Sequence, residues 1–294
     1  MTSILIKFLS WWIPKRRYTH WHCSFWELLV AAFLFMFLPT ITYDILYPDM
    51  SYEQELSDIS QDSSNENFQT EEPNIEHPVV RLIQTRNWTL IGLGFYMACI
   101  LAPINEELLF RGCLQNWVQG GMTLFCRKWF PSDIKCSRFL ISLVSITIPA
   151  LVFALVHYRS EETGKMSIED VAHNITNACV AWTLFTGICL TYLFSVRGLR
   201  FRDIYGSLRE IPSLVCSGVK WIWIAIPIIE ISIVVNFIQA VSDTHLVLDP
   251  IPLFPLAIVF GFLYYRTQST LPSIVLHFLF NFTSLCLTFL FIEL

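Results

Sequence analysis

Residues Ile100–Gln115 read ILAPINEELLFRGCLQ. The stretch is apolar at both ends, yet it carries Glu106, Glu107 and Arg111 within six positions. In a bilayer one such charge at the helix centre costs roughly 2.5–3.5 kcal/mol. Three charges in so short an apolar stretch need a reason, and the rest of the sequence has to supply it.

The rest of the chain answers for lipid. Of 294 residues 54% are hydrophobic and only 15% charged, with 24 Phe and 10 Trp. Mean hydropathy is +0.53. Soluble domains carry about 25% charged residues. Hydropathy predicts seven apolar spans near 25–42, 88–110, 139–157, 176–196, 219–241, 251–265 and 271–292, with an amphipathic helix near 113–130 as an eighth element. The expected fold is all-α: a polytopic transmembrane helix bundle of about seven to eight spans around a buried polar site. No internal repeat supports a transporter built from inverted halves. The nine cysteines are scattered without metal or disulfide spacing, and nothing resembles a nucleic-acid-binding module.

Basic residues orient the spans. With the N-terminus in the cytoplasm and spans alternating, inner segments hold Lys7, Lys15, Arg16, Arg17, Arg127, Lys128, Lys135, Arg138, Arg197, Arg200, Arg202, Arg209, Lys220 and Arg266. Outer segments hold Arg81, Arg86, Arg159 and Lys165. The organisation expected is a cytoplasmic N-terminus (1–24), a first anchor (25–42), an acidic extracytoplasmic loop (43–87) and a functional membrane domain (88–294) with an insertion near 160–248. Between Asp44 and Glu76 acids recur with no Lys or Arg, which predicts a solvated loop.

Ionisable groups inside spans are functional hypotheses by default. Glu107 and Arg111 stand at i and i+4, an intrahelical ion-pair spacing. Glu106 points about 100° away and needs a partner from another helix. Two apolar helices offer one polar stripe each: Phe153 and His157 in FALVH, and His277 and Asn281 in HFLFN. The bland readings are a structural Glu–Arg clasp, an interfacial His157 and an Asn281 that glues helices. Glu230 has no visible partner, and His20 and His22 read as part of an aromatic belt. The span limits place Glu106 near the inner end of one helix and His157 near the outer end of another, so convergence requires the helix starting at 88 to run on to about 118.

Taken in order, these motifs resemble those of the CPBP intramembrane proteases, which include type II CAAX prenyl endopeptidases and bacteriocin self-immunity proteins. Glu106, Glu107 and Arg111 match E-E-x-x-x-R within Ala102–Gly112; Phe153 and His157 match F-x-x-x-H; His277 and Asn281 match H-x-x-x-N. The family's intermediate phenylalanine falls on Phe254 or Phe260. The resemblance spans about residues 88–290. About 95 residues separate His157 from the run into the last motif, more than compact members need, and the basic turn SVRGLRFRDIYGS usually precedes the double glutamate.

The resemblance implies a peptidase. Glu106 and His157 orient and deprotonate water, His277 and Asn281 donate to the oxyanion, Glu107 and Arg111 brace the helix, and Phe153 shapes the pocket. The cofactor is then none. Alternatively Glu106, His157 and His277 hold a divalent metal, for which zinc suits a His₂Glu set. H-E-x-x-H is absent. The implied partners are a hydrophobic or lipid-anchored peptide substrate and membrane lipid. A non-catalytic scaffold or immunity protein, or an ion or proton path, uses the same polar stripes.

Overall fold

The computed structural model describes residues 23–48, 82–83, 86–130, 134–157, 168–224, 226–227 and 250–292. The basic N-terminal run with His20 and His22, most of the acidic segment, Glu230 and most of the far half of the span expected at 219–241 lie outside the described residues.

The fold is all-helical. Helix α1 (Phe25–Leu46) opens with a capping box in which Ser24 and Glu27 satisfy each other's backbone N–H. Helix α2 is continuous from Trp88 to Trp129. Then follow α3 (Ile134–Val156), α4 (Ile168–Thr191, extended by a π turn over Tyr192–Val196), the short α5 (Phe201–Tyr205), α6 (Ile211–Lys220), α7 (Pro250–Thr267) and α8 (Leu271–Ile292). Four stretches are long and apolar enough to cross a membrane: Phe25–Leu46, Trp88–Trp129, Ser137–Val156 and Asp170–Val196. Shorter apolar helices occupy Ile211–Ile224, Leu253–Thr267 and Leu271–Leu287.

Helix α2 departs from the expected limits. Its 42 residues make a rod of about 63 Å, twice the ~30 Å hydrocarbon core. The span expected at 88–110 and the amphipathic helix expected at 113–130 are one element. Pro103 does not break it. A π turn over Met97–Leu101 precedes the α-segment Ala102–Glu107, and a wider turn relieves the clash between a proline ring and the carbonyl four residues back. A second π segment, Leu108–Gln115, puts Arg111 and Gln115 in one row, donating to the Ala257 and Gly261 carbonyls of α7. In a pure α-helix such a row drifts by roughly 40° per step.

Helix α6 also corrects the expectation. It starts at Ile211, with Pro212 in its first turn, inside what hydropathy assigned to an inner loop. Proline is pre-organised for that place.

Helix α3 packs chiefly on α7, and α8 on α6 and α7; α1 lies against α4. Glu27 at the start of α1 meets Arg197 just past α4 at 3.2 Å and accepts a hydrogen bond from Tyr192. The Ile204 carbonyl of α5 accepts the Thr270 N–H between α7 and α8 at 3.1 Å. These ends therefore gather at one end of the bundle. At the other, Asn177 of α4 donates to the Pro39 carbonyl at 2.8 Å, and Thr42 of α1 donates to the Asn177 side-chain oxygen at 2.6 Å.

Candidate active site

The site is assembled by α2, α3, α7 and α8. Its depth follows from Asn105. This buried amide donates to the Trp182 carbonyl at 3.0 Å and accepts from the Thr186 hydroxyl. Residues 182 and 186 lie at the middle of the 27-residue stretch Asp170–Val196. Glu106, the next residue, is therefore level with the middle of that apolar stretch.

Glu106 Oε2 lies 3.6 Å from His157 Nε2 and 3.7 Å from His277 Nε2. Both separations exceed a direct hydrogen bond. The ring partners fix which nitrogens carry protons. His157 Nδ1 lies 2.7 Å from the Phe153 carbonyl, and His277 Nδ1 lies 3.3 Å from Glu107 Oε1. A carbonyl and an ionised carboxylate only accept, so both Nδ1 atoms donate. In a neutral ring Nε2 is then an acceptor, and in a protonated one it is a donor toward Glu106 Oε2. Glu106 Oε2 itself makes no hydrogen bond among the described residues. Glu106 and His277 are buried, whereas His157 is 32% exposed and marks the open side.

Glu107 holds the second layer. Its Oε2 lies 3.3 Å from Arg111 Nε while Oε1 takes His277. Arg111, 1% exposed, donates from Nη2 to the Ala257 carbonyl at 3.1 Å. Its guanidinium lies 5.0 Å from the Phe153 ring centre and 5.3 Å from that of Phe260, within cation–π range. The same two rings hold the histidines. Phe153 lies 4.4 Å from the His157 ring, and Phe260 stacks on His277 at 4.9 Å. Of the two candidate phenylalanines, Phe260 is at the site; Phe254 packs in the apolar cluster with Ala31, Leu109 and Ala257.

Asn281 stands apart from this contact set. Its amide donates to the Ala98 carbonyl at 2.7 Å, in the first π segment of α2, and so ties α8 to that wide turn. Two further buried residues, Asn105 and Gln115, were not singled out in the sequence. Gln115 donates to the Gly261 carbonyl at 2.8 Å. Gly261 makes the approach possible: a Cβ there would lie 3.3 Å from Gln115 Oε1 and 3.2 Å from Ile146. The signal for Gln115 was present, since it continues the Glu107–Arg111 row at i+4.

Among the described residues no group of three or more His, Cys, Asp or Glu side chains is arranged to hold a metal ion.

A family model described as type II CAAX prenyl endopeptidase Rce1-like matches residues 87–208 and 196–283. No curated protein and no solved structure matches the chain. The matched segments contain the double glutamate, both histidines and Asn281, and the chain belongs to the type II CAAX prenyl endopeptidase Rce1-like family, within the CPBP intramembrane proteases.

Proposed function

We propose that the protein hydrolyses a peptide bond in a membrane-associated, lipid-anchored peptide, using water activated by Glu106 and His157. The observation that carries this reading is the convergence of two histidine Nε2 atoms on Glu106 Oε2 at 3.6 and 3.7 Å. Residues 88–294 form the peptidase unit, a division supported by the matched segments.

The reaction needs a base, an oxyanion donor and an acid for the leaving amine. Glu106 accepts a proton from water while His157, held through Nδ1–H, orients it. The water oxygen attacks the peptide carbonyl. Negative charge develops on the carbonyl oxygen, and His277 meets it from Nε2 as an imidazolium whose Nδ1–H rests on Glu107. The C–N bond then breaks as the proton held by Glu106 passes to the amine. Charge counting supports the imidazolium. Glu106, Glu107 and Arg111 together carry −1, and one further proton makes the buried group neutral, avoiding a net charge in lipid. Asn281 holds α8 against the π turn and keeps its second N–H for the substrate carbonyl.

The test is cleavage by purified protein in nanodiscs. A C-terminally lipidated peptide is the substrate, and mass spectrometry of the products is the readout. Site-specific cleavage that disappears in Glu106→Gln supports the peptidase reading. Intact substrate with correctly folded wild type sinks it in favour of a scaffold.

A further inference from the structure

A second polar feature lies in the turn that follows α4. After α4 the chain turns through Arg197–Glu210, at the bundle end shared with Glu27. Gly198 (φ 62°) and Gly206 (φ 98°) occupy left-handed backbone conformations that favour glycine, and they fold the segment back on itself. Arg200, Phe201, Arg202, Gly206, Leu208 and Arg209 thereby line one open hollow of about 550 Å³.

The local carboxylates are mostly engaged elsewhere. Asp203 accepts the Arg200 backbone N–H at 2.8 Å and reaches Arg202 only at 3.9 Å. Glu210 accepts the backbone N–H and hydroxyl of Ser207. Glu27 holds Arg197. Among the described residues no carboxylate lies within ion-pair distance of Arg200 or Arg209. The hollow also exposes apolar bulk at its rim: Phe201 is 50% and Leu208 80% exposed. Meanwhile Ile204 and Tyr205 are buried against Leu108 and Leu193, which anchors the turn to the bundle.

We propose that this hollow binds the headgroup of an anionic phospholipid. Guanidinium groups pair bidentately with phosphate oxygens. Phe201 and Leu208, in the segment after the span that ends at Val196, contact the acyl chains beside the headgroup. A soluble acidic protein would leave those two side chains in water, which favours the lipid. The hollow lies beyond the end of a span and uses none of the residues assigned to hydrolysis, so the proposal stands independently of the peptidase reading.

Full-length protein in vesicles of phosphatidylcholine alone, or with added phosphatidylserine or phosphatidylinositol 4-phosphate, is extracted and its retained lipids are weighed by native mass spectrometry. Wild type is expected to retain the anionic lipid selectively. Each of Arg200→Gln and Arg209→Gln should reduce retention roughly fivefold, and the pair about thirtyfold. Arg200→Lys should keep most of it. Three results would overturn the proposal: equal retention of neutral and anionic lipid by wild type, retention unchanged in a double variant with intact helicity, or equal binding of inorganic phosphate or a soluble acidic peptide in neutral vesicles.

Discussion

Glu107 and His277 lie 170 positions apart and meet at 3.3 Å. The double glutamate is thus divided in its contacts: Glu106 faces His157 and His277, while Glu107 joins Arg111 to a histidine. Replacing Glu107 by Gln keeps an acceptor for Nδ1–H but removes the charge that favours an imidazolium. Turnover should fall about 10²–10⁴-fold, by analogy with a carboxylate that orients a catalytic histidine, with KM little changed. Steady-state kinetics on a lipidated peptide checks this.

Glu106 and Arg111 should separate function from folding. Glu106→Gln is expected to abolish turnover and leave the thermal midpoint near wild type. Arg111→Ala strands Glu107 in the interior and removes the cation between Phe153 and Phe260, a loss of roughly 3–5 kcal/mol. Thermal unfolding in detergent, run beside the cleavage assay, distinguishes the two outcomes. Normal turnover in Glu106→Gln would overturn its role as base.

Metal removal tests the donor set. Turnover should survive prolonged treatment with EDTA and phenanthroline. Loss of activity that returns only on adding zinc would instead make Glu106, His157 and His277 metal ligands.

Two glycines in helices should respond with opposite signs. A Cβ at Gly218 would lie 2.7 Å from the Pro272 carbonyl oxygen and 3.0 Å from Val275. Gly218→Ala should therefore push α6 off α8 and cost about 1–3 kcal/mol. Gly121 has nothing within 4 Å of the same atom, and Gly121→Ala should gain about 0.5–1 kcal/mol of helix stability. The two thermal midpoints decide the matter.

The positions of basic residues predict that a reporter fused after Glu72 lies outside the cytoplasm and one after Lys128 inside. The structure adds that the basic turn Arg197–Arg209 shares an end of the bundle with Glu27. Reporter accessibility on each side of the membrane checks the orientation.

The polar pattern exposed the site residues more readily than the helix limits. Glu106, His157 and His277 stood out because ionisable groups in apolar helices are costly. The same charges hid the length of α2: they lowered hydropathy after residue 105 and suggested a span end where the helix in fact continues through π turns. Helix α6 escaped because its proline start fell in a stretch rich in arginine. Phe254 and Phe260 could not be told apart, since only packing shows which ring reaches His277. The hydrogen bonds of Asn105 and Asn281 to backbone carbonyls left no trace in spacing, because any residue can supply the carbonyl.

The clasp between Thr42 and Asn177 sets an order of events during synthesis. The two residues are 135 positions apart. At 5–20 residues per second, roughly 7–27 s pass between their emergence from the ribosome. Through that interval α1 must persist in the bilayer without α4, bonding the Thr42 hydroxyl within its own helix to the Leu38 and Pro39 carbonyls. Its apolar length is thus what an early, solitary anchor requires, and Asn177 arrives later to add an acceptor from a second helix to the carbonyls already within reach of the Thr42 hydroxyl.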